Sequence, residues 1–225
     1  MLIELKLLGK VEKYVFNRCQ AINDLLNQVS EDLARDELIK LLDYMSRHEQ
    51  PYNPLINALI REVGLYPYME EGSSSWTDAF ACNLFKVDVG LAEEKALHRE
   101  QYKLLKASLD NKNIAVSAPT SFGKSFVVDA FIKLKKPQNV MIIVPTIALT
   151  DETRRRIYKK FSHEYNIITT TDADLAERNI FIFPQERAIH YVDKLKSLDI
   201  LIIDEFYKST LLSRLEIIGP EKARI

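Results

Sequence analysis

Between Leu97 and Ile203 the sequence alternates short runs that are apolar on nearly every residue with longer stretches of helical character, and no other feature limits the fold as much. The runs are Ile114-Ala115-Val116-Ser117, Val140 to Val144, Tyr165-Asn166-Ile167-Ile168, Ile180 to Phe183 and Asp199 to Ile203. A strand with one face in water alternates polar and apolar residues. These runs do not alternate, so strands covered on both faces are predicted. Helices are predicted over Arg99 to Leu109, Ser125 to about Leu134 and about Ile147 to Phe161. Strands separated by helices pair in parallel, and the expected fold class is therefore α/β, a parallel sheet flanked by helices.

The first part of the chain reads differently. Leu25-Leu26-Val29-Leu33 and Leu38-Leu41-Leu42-Met45 recur at three- and four-residue intervals, the period of amphipathic helices. Asn53 before Pro54 predicts an N-cap with proline at the first helical position, and Gly64 predicts the stop. EEGSSSWTD, residues 70–78, is the most linker-like stretch, and Trp76 at its end is expected to anchor the loop. The expected division is an all-α N-terminal accessory region over 1–95 and an α/β domain over 96–225.

Charge follows the same division. Residues 1–95 hold 10 Lys and Arg against 16 Asp and Glu, while the remainder hold 21 against 16. The basic excess of the second part is mild and is compatible with a polyanionic partner without requiring one. With 47% hydrophobic and 28% charged residues, the chain is excluded from the collagen and disordered classes. Cys19 and Cys82 lack the paired spacing of a metal site and read as buried thiols in a reducing compartment. The start lacks a signal-peptide core and no stretch approaches the roughly 20 apolar residues that span a bilayer, so a cytoplasmic protein without membrane contact is expected.

Chemistry concentrates in SAPTSFGKS, residues 117–125. Ala118, Gly123, Lys124 and Ser125 match the phosphate-loop spacing GxxxxGK[ST], with alanine for the first glycine. A loop between strand and helix wraps backbone N–H groups around phosphate oxygens, and the helix N-terminus adds partial positive charge. Pro119, Thr120, Ser121 and Phe122 complete the predicted cradle. Lys124 supplies a compact cation for the β- and γ-phosphates, and Ser125 a hydroxyl for Mg²⁺. Eighty residues beyond Lys124, the apolar run to Ile203 ends in Asp204-Glu205. Asp204 at a strand's C-terminal end is suited to hold Mg²⁺, and Glu205 to polarise the attacking water.

Other candidates surround these. Gln101 has a carboxamide that donates and accepts, as reading N6 and N7 of adenine requires. Pro145 and Thr146 follow one predicted strand and open a helix carrying Arg154, Arg155 and Arg156, donors suited to nucleic-acid phosphates. For the arginines, a solvated helix face is an equal reading. Pro184 ends another strand on the same edge and is suited to track the same backbone.

Taken together, Leu97 to Lys208 resemble the first motor domain of superfamily-two helicases, nearest the DEAD/DEAH-box and Ski-like branches. Gln101 matches the adenine-reading Q motif, APTSFGKS motif I, PTIAL motif Ia, IFIFPQE the segment that often reads TPE, and Asp204-Glu205 the first two letters of motif II. Motif II then departs, with Phe206-Tyr207-Lys208 where the family has alanine and Asp or His. The helical extension and this DEFY-type motif also look like those of helicases in bacterial anti-phage defence. The resemblance implies a RecA-like domain using ATP and Mg²⁺, and single-stranded or duplex nucleic acid as partner, with DNA favoured over RNA. It implies a second RecA-like domain, expected to be missing from this chain, that supplies an arginine to the transferring phosphoryl group, so the chain alone is expected to be inactive or weak. Residues 1–95 are a candidate surface for a protein partner. Two other readings remain open: a self-contained phosphate-loop phosphotransferase, and a nucleotide-switched protein-interaction module.

Overall fold

A computed structural model describes residues 9–110, 113–192 and 195–204. The chain divides into two compact units, residues 1–87 with 95–102 and residues 88–94 with 103–225.

The first unit is helical. Helices α1 (Lys10–Asn27), α2 (Glu31–Arg47) and α3 (Pro54–Val63) are followed by α4 (Trp76–Asn83) and by two short antiparallel strands, β1 (Lys86–Val87) and β2 (Lys95–Ala96). Their core is the periodic apolar set: Val15, Cys19 and Ile22 of α1, Leu38, Leu41, Leu42 and Met45 of α2, and Ile56, Leu59 and Ile60 of α3. These spacings put each set on one face of its helix, which is why the three faces close on one another. The boundaries of α3 follow its sequence signals. The Asn53 side chain accepts from the Ile56 N–H at 3.1 Å, and Gly64 ends the helix at φ +79°, a left-handed conformation natural to glycine.

Residues 70–78 are more ordered than their composition suggests. Asn57, fully buried on α3, donates to the Glu70 carbonyl and the Ser73 hydroxyl at 3.2 and 2.9 Å and accepts from the Glu70 N–H. Ser75 and Asp78 then cap α4 reciprocally. Trp76, expected to anchor the loop, is instead 80% exposed, because the cap makes it the first residue of a helix and turns its ring outward.

Helix α5 (Arg99–Leu109) begins in the first unit and continues into the second. The second unit contains α6 (Lys124–Lys135), β3 (Asn139–Val144), α7 (Ile147–Phe161), β4 (Asn166–Ile168), β5 (Asn179–Pro184), α8 (Gln185–Val192) and β6 (Ile200–Ile203). The four strands from β3 to β6 form one parallel sheet in the order β4-β5-β3-β6. Alternate residues separate to its two faces. Val140, Ile142, Val144, Ile180 and Ile182 pack with Ile132 of α6 and Ile157 and Phe161 of α7. Met141, Ile143, Phe181 and Phe183 pack with Ala188 and Tyr191 of α8. Helices on both faces explain the unbroken apolar runs.

The run Ile114-Ala115-Val116-Ser117, expected to be a strand, is not one. Residues 113–119 carry no strand pairing, Ile114 is 37% exposed, and among the described residues no strand pairs with the second edge of β6. A sheet strand requires a hydrogen-bonded neighbour as well as apolar side chains, and among the described residues this run has none.

Candidate nucleotide-binding site

The phosphate-loop residues connect the 113–119 segment to α6. A 3₁₀ turn over Thr120–Phe122 leads to Gly123, whose φ of +75° is left-handed and ends that turn while beginning α6. The chain reverses there because glycine carries no Cβ to oppose it. Lys124 and Ser125 thereby occupy the first two positions of α6, where backbone N–H groups lack intrahelical acceptors and the helix dipole is positive. Lys124 Nζ turns back on its own loop, donating to the carbonyls of Ala118 at 2.7 Å and Pro119 at 3.3 Å. The ammonium is thereby held over the loop by two neutral carbonyls, acceptors for which an anion would be a stronger competitor.

The parallel register brings several other candidates to one edge of the sheet. Val144 stands opposite Pro184 and Ile143 opposite Ile203, so Pro145, Thr146, Pro184 and Asp204 all come at the C-terminal ends of neighbouring strands. Asp204 is exposed and its N–H donates to the Ile143 carbonyl at 2.9 Å, which fixes its backbone beside β3. In open parallel sheets that edge is where ligands bind. The Ser125 hydroxyl and the Asp204 carboxylate are hard oxygen donors, the kind Mg²⁺ takes alongside waters and substrate phosphates. Glu205 and Phe206-Tyr207-Lys208 lie outside the described residues.

Thr146 caps α7, its hydroxyl accepting from the Leu149 N–H at 3.2 Å. Pro184 is buried as the last residue of β5, leading directly into α8. The three arginines of α7 have different surroundings. Arg154 and Arg155 both pair with Asp151 at 2.7 Å, with 43% and 76% of their side chains exposed. These contacts, the hydrogen bond from Arg154 foremost, hold the Asp151 carboxyl below its ordinary range. Arg156 instead turns toward α6 and pairs with Asp129, which Lys160 also contacts at 2.6 Å. Arg156 Nη1 further donates to the Ser125 carbonyl at 3.4 Å, and Lys160 stands 4.9 Å from the centre of the Phe126 ring. Sequence reasoning did not single out Asp129. Its signal was a lone acid among the apolar residues of KSFVVDAFIKL, a position that calls for a buried cationic partner.

Gln101 is in the first turn of α5, within the helical unit, and is 7% exposed. Its side-chain oxygen accepts from the His98 N–H at 3.1 Å, while its own N–H goes to His98 Nδ1 at 3.2 Å.

A parallel sheet with helices on both faces, a phosphate-loop helix and an acidic residue ending β6 define a RecA-like domain behind a helical region. The chain belongs to the DEAD/DEAH box helicase family, which matches residues 98–210. Residues 3–79 match a second family, the anti-bacteriophage protein B N-terminal domain. The chain is similar to the anti-bacteriophage protein B of Escherichia coli (strain K12), with 32% identity over 197 residues covering 86% of this chain. It spans 26% of the length of that relative. Among the described residues no helix is long and apolar enough to cross a membrane.

Proposed function

We propose that this chain is the ATP-binding part of a nucleic-acid helicase or translocase that acts in defence against bacteriophage. The observation that carries the reading is the turn at Gly123, which begins α6 at Lys124 and Ser125 with the Lys124 ammonium drawn over its own loop. In this reading Ala118 to Ser125 cradle the triphosphate, and Lys124 moves from the Ala118 and Pro119 carbonyls to the β- and γ-phosphates. Ser125 and Asp204 would hold Mg²⁺, which when bound neutralises charge on the phosphates. Glu205 orients the attacking water and Gln101 takes adenine. Thr146, Pro145, Pro184 and the exposed part of Arg154 contact a nucleic-acid backbone at the strand ends, DNA in preference to RNA. A second RecA-like domain of the whole protein supplies the arginine that speeds phosphoryl transfer. The defence role is supported by the relative's name and by the match over residues 3–79.

ATP binding and hydrolysis, measured with and without single-stranded DNA or RNA for this chain and for Lys124→Ala, test the reading. Binding lost with Lys124, and little turnover by the chain alone, is the expected result. Robust unstimulated turnover, or phosphate transfer to a small acceptor, would favour a phosphotransferase instead.

A further inference from the structure

Helix α6 begins on Gly123, which has no side chain to cap it, whereas α3 and α7 start on the side chains of Asn53 and Thr146. Lys124, its first residue, is held by the Ala118 and Pro119 carbonyls of the loop. Ser125, its second, is reached from another helix. Arg156 Nη1 of α7 donates to the Ser125 carbonyl at 3.4 Å. The same nitrogen pairs with Asp129, one turn further along α6, and Lys160 takes the other carboxylate oxygen at 2.6 Å.

Asp129 is fully buried, and a buried ionic group is a poor source of stability. Apolar residues of the same volume often do as well, because the charges must first give up their water. What the group supplies is direction. Apolar packing, here of Ile132 with Ile157 and Phe161, is non-directional, whereas charged hydrogen bonds fix both distance and angle. With its two oxygens divided between Arg156 and Lys160, Asp129 keeps α6 from turning or sliding on α7 without breaking a bond to a desolvated charge.

We infer that Arg156 is a positioning residue for Ser125: it sets where the first turn of α6 places the serine hydroxyl, and thereby how well the site takes Mg²⁺ with the nucleotide. This rests on Ser125 holding Mg²⁺, as proposed above. Lys124 and the loop amides can hold phosphate with or without the metal, so the effect of Arg156 falls on the metal-dependent part of binding.

Equilibrium binding of a fluorescent ATP derivative to the full chain, with Mg²⁺ and in excess EDTA, tests this, with folding followed by circular dichroism. Arg156→Ala should lower affinity about tenfold with Mg²⁺, the low end of what losing a residue that orients a metal ligand costs, and leave affinity in EDTA unchanged. Ser125→Ala should show the same pattern. The double variant should bind no more weakly than Ser125→Ala alone, because the arginine acts only through the serine. Should Arg156→Ala fail to fold, Arg156→Lys keeps a cation beside Asp129 without the planar fork, and its affinity with Mg²⁺ should also fall. A role in folding alone would lower binding equally with and without Mg²⁺, and that result would overturn the inference. So would a folded Arg156 variant that binds like the wild type, or losses that add in the double variant. In each case Lys124→Ala still abolishing binding would leave the ATP reading standing. A wild type whose ATP binding does not depend on Lys124 would remove the proposed function, and the inference with it.

Discussion

Asp129 and Arg156 meet between α6 and α7 with the carboxylate almost wholly out of water, 1% of its side chain being exposed. Lys160 completes the arrangement at 2.6 Å, so two cations of α7 converge on one acid of the phosphate-loop helix. Arg156 also reaches the carbonyl of Ser125, tying the first turn of α6 to the same point.

Removing one member of a buried ionic group leaves the others desolvated without a counter-charge, at a cost of about 3–5 kcal/mol. Asp129→Ala should therefore destabilise the sheet-containing unit by that amount in urea unfolding. Arg156→Ala should cost less, because Lys160 still faces the carboxylate. Equal losses for the two variants would show that Lys160 does not share the role.

Gly123→Ala should weaken ATP binding more than it weakens the fold. A side chain at φ +75° costs on the order of 1–3 kcal/mol of strain, relieved most simply by opening the turn that delivers Lys124. ATP affinity falling at least about tenfold with a small change in unfolding free energy is the expected outcome, read by nucleotide titration alongside denaturant melts.

Acid should cost stability through Glu164. Its hydrogen bond with Lys133 holds the Glu164 carboxyl below its ordinary value of 4.5. A group depressed in the folded state contributes stability above its unfolded value, and the contribution is lost as pH falls from about 4.5 through the lower folded value. Lys133, raised above its ordinary 10.5 by the same bond, contributes below that value and loses its contribution at higher pH. For a pair this near solvent the effect is at most about 1 kcal/mol. Glu164→Gln should flatten this part of the stability profile between pH 5 and about pH 3, measured by urea unfolding at each pH.

The thiols should react in a fixed order. Burial in the helical core pushes the Cys19 thiol up to about 11, and the residue is 3% exposed. Only a trace of thiolate forms near pH 8, and none of it is accessible without opening the core. Cys82, half-buried on α4, should be alkylated first in the native protein, as peptide mass analysis after timed labelling can read.

What sequence alone determined is what depends on neighbours along the chain. The caps of α3 at Asn53 and Gly64, the cap of α7 at Thr146 and the turn at Gly123 are set by residues within four positions of one another. The buried strands Val140 to Val144 and Ile180 to Phe183 were legible because covering both faces leaves a continuous apolar run. Tertiary structure decided what depends on distant partners. Arg154, Arg155 and Arg156 are indistinguishable in sequence, yet among the described residues only Arg156 has an acid, Asp129, waiting on another helix. The ordering of residues 70–75 comes from Asn57, more than a dozen residues earlier, and the outward turn of Trp76 from the capped start of α4. Ile114 to Ser117 carry the apolar character of a strand, but a strand also has to be hydrogen-bonded to a neighbour, and among the described residues this run pairs with none. Composition sets how much apolar surface a segment must hide, and only the assembled fold supplies the surface that hides it.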